Sequence, residues 1–207
     1  MLLRLATPLV LLVALALTAV PGNTLAEEVE EDARVEVIEF FWYGCPHCYR
    51  FQSDLHDWLE DKPDYVDFEM VPALVSGDWE VHARAFYAAQ LLDALDQFHF
   101  AFYEALHAEG QQLDSIDSIA AFADSLDGVD GEEFAATMES FGVESRLREA
   151  RNVNQEYGLR GTPSMGVNGE LFSPGDFGSF SAMMEAVDDH AASEWERQAA
   201  LGDGGDD

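Results

Sequence analysis

The sequence predicts an α/β fold in which two strand-bearing segments flank a long helical one, and three observations carry that reading. An apolar run rich in β-branched and aromatic residues, Val35 to Tyr43, leads into a helical pattern and then into a second strand pattern at Val66 to Val71. From Trp79 to about Tyr157 the apolar period is helical throughout. Strand signals return at Met165 to Phe172, before a last helical stretch.

Each element has a local cause. Val35 to Tyr43 suits a buried strand. After it Cys48, Phe51, Leu55, Trp58 and Leu59 recur at spacings of three, four, three and one, one face of an amphipathic helix. Pro46 falls at the first helical position, where its missing N–H would have had no intrahelical partner, and Cys45 becomes the N-cap. In Val66 to Val71 apolar and acidic residues alternate until Pro72 ends the strand. The helical stretch carries apolar stripes at Phe86, Leu91, Leu92 and Leu95, at Phe98, Phe102, Tyr103 and Leu106, and at Ile116, Ile119, Ala120 and Phe122, broken by glycines. About five helices result, with Asp130-Gly131-Glu132-Glu133 in capping-box form at the start of one. Met165-Gly166-Val167, Asn168-Gly169 and Glu170-Leu171-Phe172 spell a hairpin with a type I′ turn. The last helix is expected over roughly Phe180 to Ala199, with a disordered tail over 202–207.

Cys45-Pro46-His47-Cys48 holds the only two cysteines of the 207-residue chain, at the junction of the first strand and helix. An N-cap side chain accepts from the N–H groups two and three residues on, here those of His47 and Cys48, and faces the positive helix end, so a thiolate at Cys45 is favoured. The helix end supplies about 0.3 to 2 kcal/mol. Moving a cysteine from about 8.5 to neutral pH takes roughly 2 kcal/mol, so a larger shift must recruit His47 and the Cys48 thiol as donors. Cys45 is expected to be accessible and reactive, and Cys48, one turn inside the helix, buried and protonated. The rival reading of such a pair is half a zinc site. Structural zinc needs two more ligands, and neither a second cysteine pair nor a ligand spacing among His56, His82, His99, His107 and His190 supplies them. No metal or other cofactor is therefore expected, and those histidines read as ordinary surface or core residues.

Residues 1–26 have the form of a secretory signal peptide: Arg4 near the start, an apolar run through Val20, and small residues at Thr24 and Ala26 before the expected cleavage. An uncleaved anchor is the alternative. Export places the cysteine pair where disulfides persist, and the absence of other cysteines means the pair serves other chains. The remaining 181 residues suffice for one domain or a domain with a large insertion.

Forty-one acidic residues face ten basic ones, a formal charge of −31, and Lys62 is the sole lysine. Such a chain would be repelled by nucleic acid rather than release counterions from it, which excludes that partner. Acids spread over the whole chain read as adaptation to high salt, where repulsion is screened; attraction of a cationic partner is the alternative. Arg146, Arg148, Arg151 and Arg160 cluster against this trend and read as a solvated helix face, with docking as the rival reading.

The order strand, helix, strand, helical run, hairpin, helix resembles the DsbA family of periplasmic thiol oxidants. The likeness is carried by Glu39-Phe40-Phe41, Cys45-Pro46-His47-Cys48-Tyr49, Leu159-Arg160-Gly161-Thr162-Pro163 and Val167-Asn168-Gly169, and covers Val35 to Ala199. The resemblance implies a thioredoxin-like fold, at about 33–72 and 158–199, with an inserted all-helical subdomain at about 73–157. It implies that Cys45 is the nucleophile and Cys48 its buried partner, with Pro46 and His47 between them. It further implies that Pro163 is a cis-proline whose neighbouring backbone pairs with substrate, and that Glu39 is a buried acid able to exchange a proton with Cys48. Thr162 stands where the family's best-known oxidants carry valine, and Gln52 where an acid is common; both bear on the redox potential.

By the same resemblance the chain is a monomeric periplasmic oxidase. It would take electrons from unfolded exported proteins with free thiols and be reoxidised by a membrane quinone-linked, DsbB-like partner. A disulfide isomerase would need a separate dimerisation domain, for which the segment between Ala26 and Val35 has no room. A cytosolic reductase is opposed by the leader and the helical insert. A substrate-binding chaperone with an incidental dithiol would use the same groove, expected to be lined by Phe41, Trp42 and Met165.

Overall fold

The computed structural model describes residues 34–202. The expected signal peptide and the tail from 203 lie outside the described residues. The elements are β1 (Val35–Phe41), α1 (Pro46–Asp61), β2 (Val66–Pro72), a 3-10 turn (Gly77–Trp79), α2 (Glu80–Leu91), α3 (Leu95–His107), α4 (Ile116–Ala123), α5 (Gly131–Met138), α6 (Phe141–Glu156), β3 (Ser164–Val167), β4 (Glu170–Phe172), α7 (Pro174–Phe177) and α8 (Phe180–Gly202). Two boundaries depart from expectation: β1 ends at Phe41, where Trp42 to Gly44 turn into α1, and α8 runs on to Gly202. The short α7 has no counterpart among the expected elements. It starts at Pro174, which is tolerated at a first helical position.

The sheet order is β2-β1-β3-β4, with β1 parallel to β2 and the other pairs antiparallel. β1 is central and covered on both faces, which is why it reads as a near-continuous apolar run. Val35 and Val37 join Phe51, Leu55 and Trp58 of α1 and Met183 and Val187 of α8. Ile38 and Phe40 join a second cluster with Phe86, Phe98, Phe102 and Phe134 from the helices between β2 and β3. Each wholly buried Phe contributes about 1.5–3 kcal/mol relative to exposure. Trp58 Nε1 donates to Asp188 Oδ1 at 2.6 Å, fixing α1 against α8.

The five helices α2–α6 leave the sheet after β2 and return before β3. Asn154, buried near the end of α6, binds both sides of this departure: its Oδ1 accepts from Leu74 N at 2.6 Å and its Nδ2 donates to Pro72 O at 3.3 Å. Asp130 caps α5 by accepting from Glu133 N at 2.8 Å, while Ser115 and Ser118 form the reciprocal capping box, at α4. Asn168 and Gly169 take positive φ of 44° and 91°, as a type I′ hairpin turn requires. On α6, Arg146, Arg148 and Arg151 pair with Glu149, Glu144 and Glu80, a solvated ion-pair face. Among the described residues no helix is long and apolar enough to cross a membrane.

Candidate active site

The parallel β1–β2 pairing sets α1 with its N-terminus at the end of β1, and the cysteines follow from that. Cys45 is the N-cap, with extended backbone (φ −87°, ψ 114°), and Pro46 opens the helix. Cys48 N donates to Cys45 Sγ at 3.5 Å. Both cysteines are free thiols, as in the reduced form. Cys48 is wholly buried, and Cys45 keeps only 7% of its surface. The expectation of a freely accessible Cys45 is therefore corrected: the β3 approach covers it, with Cys45 Sγ 3.4 Å from Thr162 O. The Thr162–Pro163 bond is cis, and Pro163 is buried beside the half-buried Thr162.

The electrostatics separate the two sulfurs. Hydrogen bonding from the Cys48 thiol does most to lower the Cys45 pKa, to about 5; burial opposes it, and the Thr162 side chain and the N–H groups of Cys48 and His47 assist. Burial first, then the bond to Cys45 and its charge, pushes Cys48 far up. A helix end alone, worth at most about 2 kcal/mol, would not suffice for Cys45. His47 acts through its backbone only. Its imidazole is exposed, and Nδ1 accepts from Arg50 at 2.9 Å, so of the two expected donors to Cys45 the Cys48 thiol is in place and the His47 side chain is not.

Glu39 lies wholly buried on β1, opposite Met70 of β2 and Met165 of β3. Desolvation raises its pKa to about 8, against the bond it accepts from Gln52 Nε2 at 3.0 Å. Spacing alone did not reveal the groups around it. His99, read from the sequence as ordinary, faces Gln52 Oε1 at 3.2 Å and the Tyr43 hydroxyl at 2.8 Å. His107 Nε2 lies 2.7 Å from Tyr43 O, and its ring stacks on Tyr49. His99 occupies the same apolar stripe of α3 as Tyr103, four residues on, which was the available signal.

The groove reading needs correction. Phe41 and Met165 are 1% and 0% exposed because helices cover both faces of the sheet, so neither lines an open surface. Trp42 is half-buried and stacks flat on Trp79 with centroids 4.5 Å apart. Among the described residues no group of three or more His, Cys, Asp or Glu is arranged to hold a metal ion.

The DSBA-like thioredoxin domain model matches residues 65–181. The thiol:disulfide interchange protein DsbA of Pseudomonas aeruginosa is 35% identical over 161 residues, 77% of this chain and 76% of that one. Its counterpart in Pseudomonas syringae pv. tomato is 32% identical over 166 residues, 80% and 77% of the two chains. The crystal structure of Pseudomonas aeruginosa DsbA superposes with a TM-score of 0.74 at 35% identity, covering 84% of this chain and 89% of that one. The oxidoreductase DsbA from Xylella fastidiosa gives 0.72 at 33% identity, covering 78% and 87%. Sequence and fold thus agree across most of both chains, and the protein belongs to the DsbA family of thiol:disulfide oxidoreductases, acting as a disulfide oxidase.

Proposed function

We propose that the chain donates a Cys45–Cys48 disulfide to exported proteins through a mixed disulfide at Cys45. The observation that carries this assignment is the division of the two sulfurs: Cys45 is held as a thiolate by its hydrogen bonds, and Cys48 is sealed as a thiol. A substrate thiolate attacks Cys45 Sγ of the oxidised protein, the Cys45–Cys48 bond breaks, and Cys48 leaves with the bonding electrons. The Glu39 carboxyl, with its pKa about 8, gives its proton to that sulfur. A second substrate thiolate attacks the substrate sulfur of the mixed disulfide and expels Cys45 as a stable thiolate. Substrate is oxidised by two electrons, and the protein is left as the dithiol.

During these steps the Thr162 backbone beside Pro163 is the surface on which an extended substrate segment pairs, because its carbonyl already lies next to Cys45 Sγ. The substrates are unfolded exported proteins with free thiols, met by a monomer in the periplasm after cleavage behind Ala26. A membrane quinone-linked, DsbB-like thiol oxidase returns the dithiol to the disulfide. The acidic surface is an adaptation to high salt.

Trapping tests the assignment of roles. Cys48→Ala should accumulate mixed disulfides at Cys45, because the route that frees the substrate by attack of Cys48 on Cys45 is gone, and Cys45→Ala should accumulate none. A glutathione titration tests direction: a potential near that of thioredoxin, about −270 mV, would point to a reductase.

A further inference from the structure

Beneath the cysteines, four side chains connect the core to an open cavity. Glu39 Oε1 accepts from Gln52 Nε2 at 3.0 Å, Gln52 Oε1 meets His99 Nε2 at 3.2 Å, and His99 Nδ1 meets the Tyr43 hydroxyl at 2.8 Å. Donor chemistry orients the whole chain. Gln52 turns its NH2 to Glu39 Oε1, an oxygen that accepts in the ionised acid and also in the acid protonated on its other oxygen; the Gln52 carbonyl then needs a donor, which makes Nε2 the protonated nitrogen of His99. Nδ1 is left to accept from Tyr43. His99 is thus a neutral, fixed tautomer, and burial lowers its pKa to about 4. Gln52 and His99 are half-buried, and with Tyr49, Met70, Leu95 and Phe100 they line a cavity of about 830 Å³ between α1 and α3. Phe100, on this lining, is 51% exposed.

Glu39 must regain a proton in every cycle if it supplies one to Cys48. Among the described residues the groups around it are few. The β1–α1 turn contributes Tyr43, α1 contributes Gln52, α3 contributes Tyr103 and, through Gln52, His99, and the neighbouring strands contribute Met70 and Met165. Tyr43 and Tyr103 are held well above their ordinary range by burial and by neighbouring charges, so neither delivers a proton near neutral pH. The strand neighbours carry none. What remains is water on the cavity side, and Gln52 is the residue between that side and the acid.

We propose that Gln52 and His99 are positioning residues for proton exchange at Glu39, His99 fixing the Gln52 amide over the acid and the α1–α3 cavity admitting the proton when that amide swings aside. The inference rests on the proposed exchange between Glu39 and Cys48. An amide does not ionise at these pH values, so Gln52 works by movement, and the proton comes from water and passes to a Glu39 oxygen. The Gln52 bond also favours the ionised acid, since it is a donor to a carboxylate.

The test combines carboxyl-carbon NMR titration of Glu39 with the pH profile of dithiol oxidation, in the wild type, Gln52→Leu, His99→Phe and His99→Gln. Gln52→Leu should raise the Glu39 pKa by about one to two units, the worth of a hydrogen bond to a charged group, and carry the pH profile upward with it. His99→Phe should shift both in the same direction by less, and His99→Gln, which keeps a donor for Gln52, should restore them. Should His99→Phe fail to fold, Gln52→Leu and His99→Gln still decide, because Gln52 borders the cavity. An unmoved Glu39 titration or pH profile in Gln52→Leu overturns the proposal. Glu39→Gln separates the layers: if it abolishes the pH dependence while Gln52→Leu moves nothing, only the positioning role fails. A Glu39→Gln profile like that of the wild type removes the exchange with Cys48, and the proposal with it.

Discussion

Thr162 and Cys45, 117 positions apart in the chain, meet with the threonine carbonyl oxygen 3.4 Å from the cysteine sulfur. The Thr162 side chain lowers the pKa of both Cys45 and Cys48. Thr162→Val should therefore raise the Cys45 pKa by up to about one unit, the worth of a neutral hydrogen bond to sulfur, and make the couple less oxidising. His47→Ala should do less, because the imidazole is engaged with Arg50 rather than with sulfur. Ultraviolet thiolate absorbance against pH measures both; a larger effect from His47→Ala would reverse this ranking.

The Cys45 thiolate also makes stability depend on redox state and pH. Its folded pKa of about 5 is depressed below the ordinary thiol value, so its contribution is complete above the unfolded pKa and is lost as pH falls through about 5. The oxidised protein has no such group. Relative to the disulfide form, the reduced form should gain stability from about pH 5 to about pH 9. At neutral pH the gain should be on the order of 2 kcal/mol, after allowance for solvent screening. Denaturant unfolding of both forms across this range tests it, and a pH-independent difference would contradict it.

Glu39 works against the fold. Its pKa is raised to about 8, so its unfavourable effect is absent below the unfolded carboxylate pKa and grows as pH rises from there through about 8. Glu39→Gln should stabilise the protein by a few kcal/mol near pH 8, since raising a carboxyl by one pH unit costs the fold about 1.4 kcal/mol, and by nothing near pH 4. Disulfide transfer should slow in the same variant. Unfolding curves at the two pH values, with a transfer assay at each, check the paired outcome; equal stability at pH 8 would mean that the acid is not desolvated.

A formal charge of −31 leaves most carboxylates without a basic partner. Self-repulsion should fall as salt shortens the Debye length to about 3 Å at 1 M, so the thermal midpoint should rise from low salt to about 1 M NaCl. A flat or falling midpoint would refute the salt-adaptation proposal and favour a cationic partner.

The parts of the fold that depend on neighbouring residues were legible. The strand running into Cys45, Pro46 at the first helical position and the Asn168-Gly169 turn are local signals, and each element appears near its expected place. Fixing the Glu39 surroundings required tertiary structure. Gln52 and His99 lie 47 positions apart and Tyr43 and His99 56, and nothing in either spacing pairs them. Gln52 did share a face with Cys48 one turn earlier, but a glutamine there reads equally as a solvated position. Phe41 and Met165 were misplaced for a related reason: which side chains are left to line a groove depends on helices from distant parts of the chain, and here those helices cover both residues.

The two bonds made by Asn154 have an architectural consequence. They tie residue 154 to residues 72 and 74, so the departure and the return of about eighty residues meet within the reach of one side chain. Chain added or removed between those points alters a closed lobe and not the spacing of the strands beneath it. Loop-closure entropy grows only by about 0.6 kcal/mol per doubling of length, so such changes are thermodynamically mild. The outer helices of the lobe can therefore be remodelled over evolutionary time without moving the strands, while α3, which holds His99 against Gln52, must keep its place.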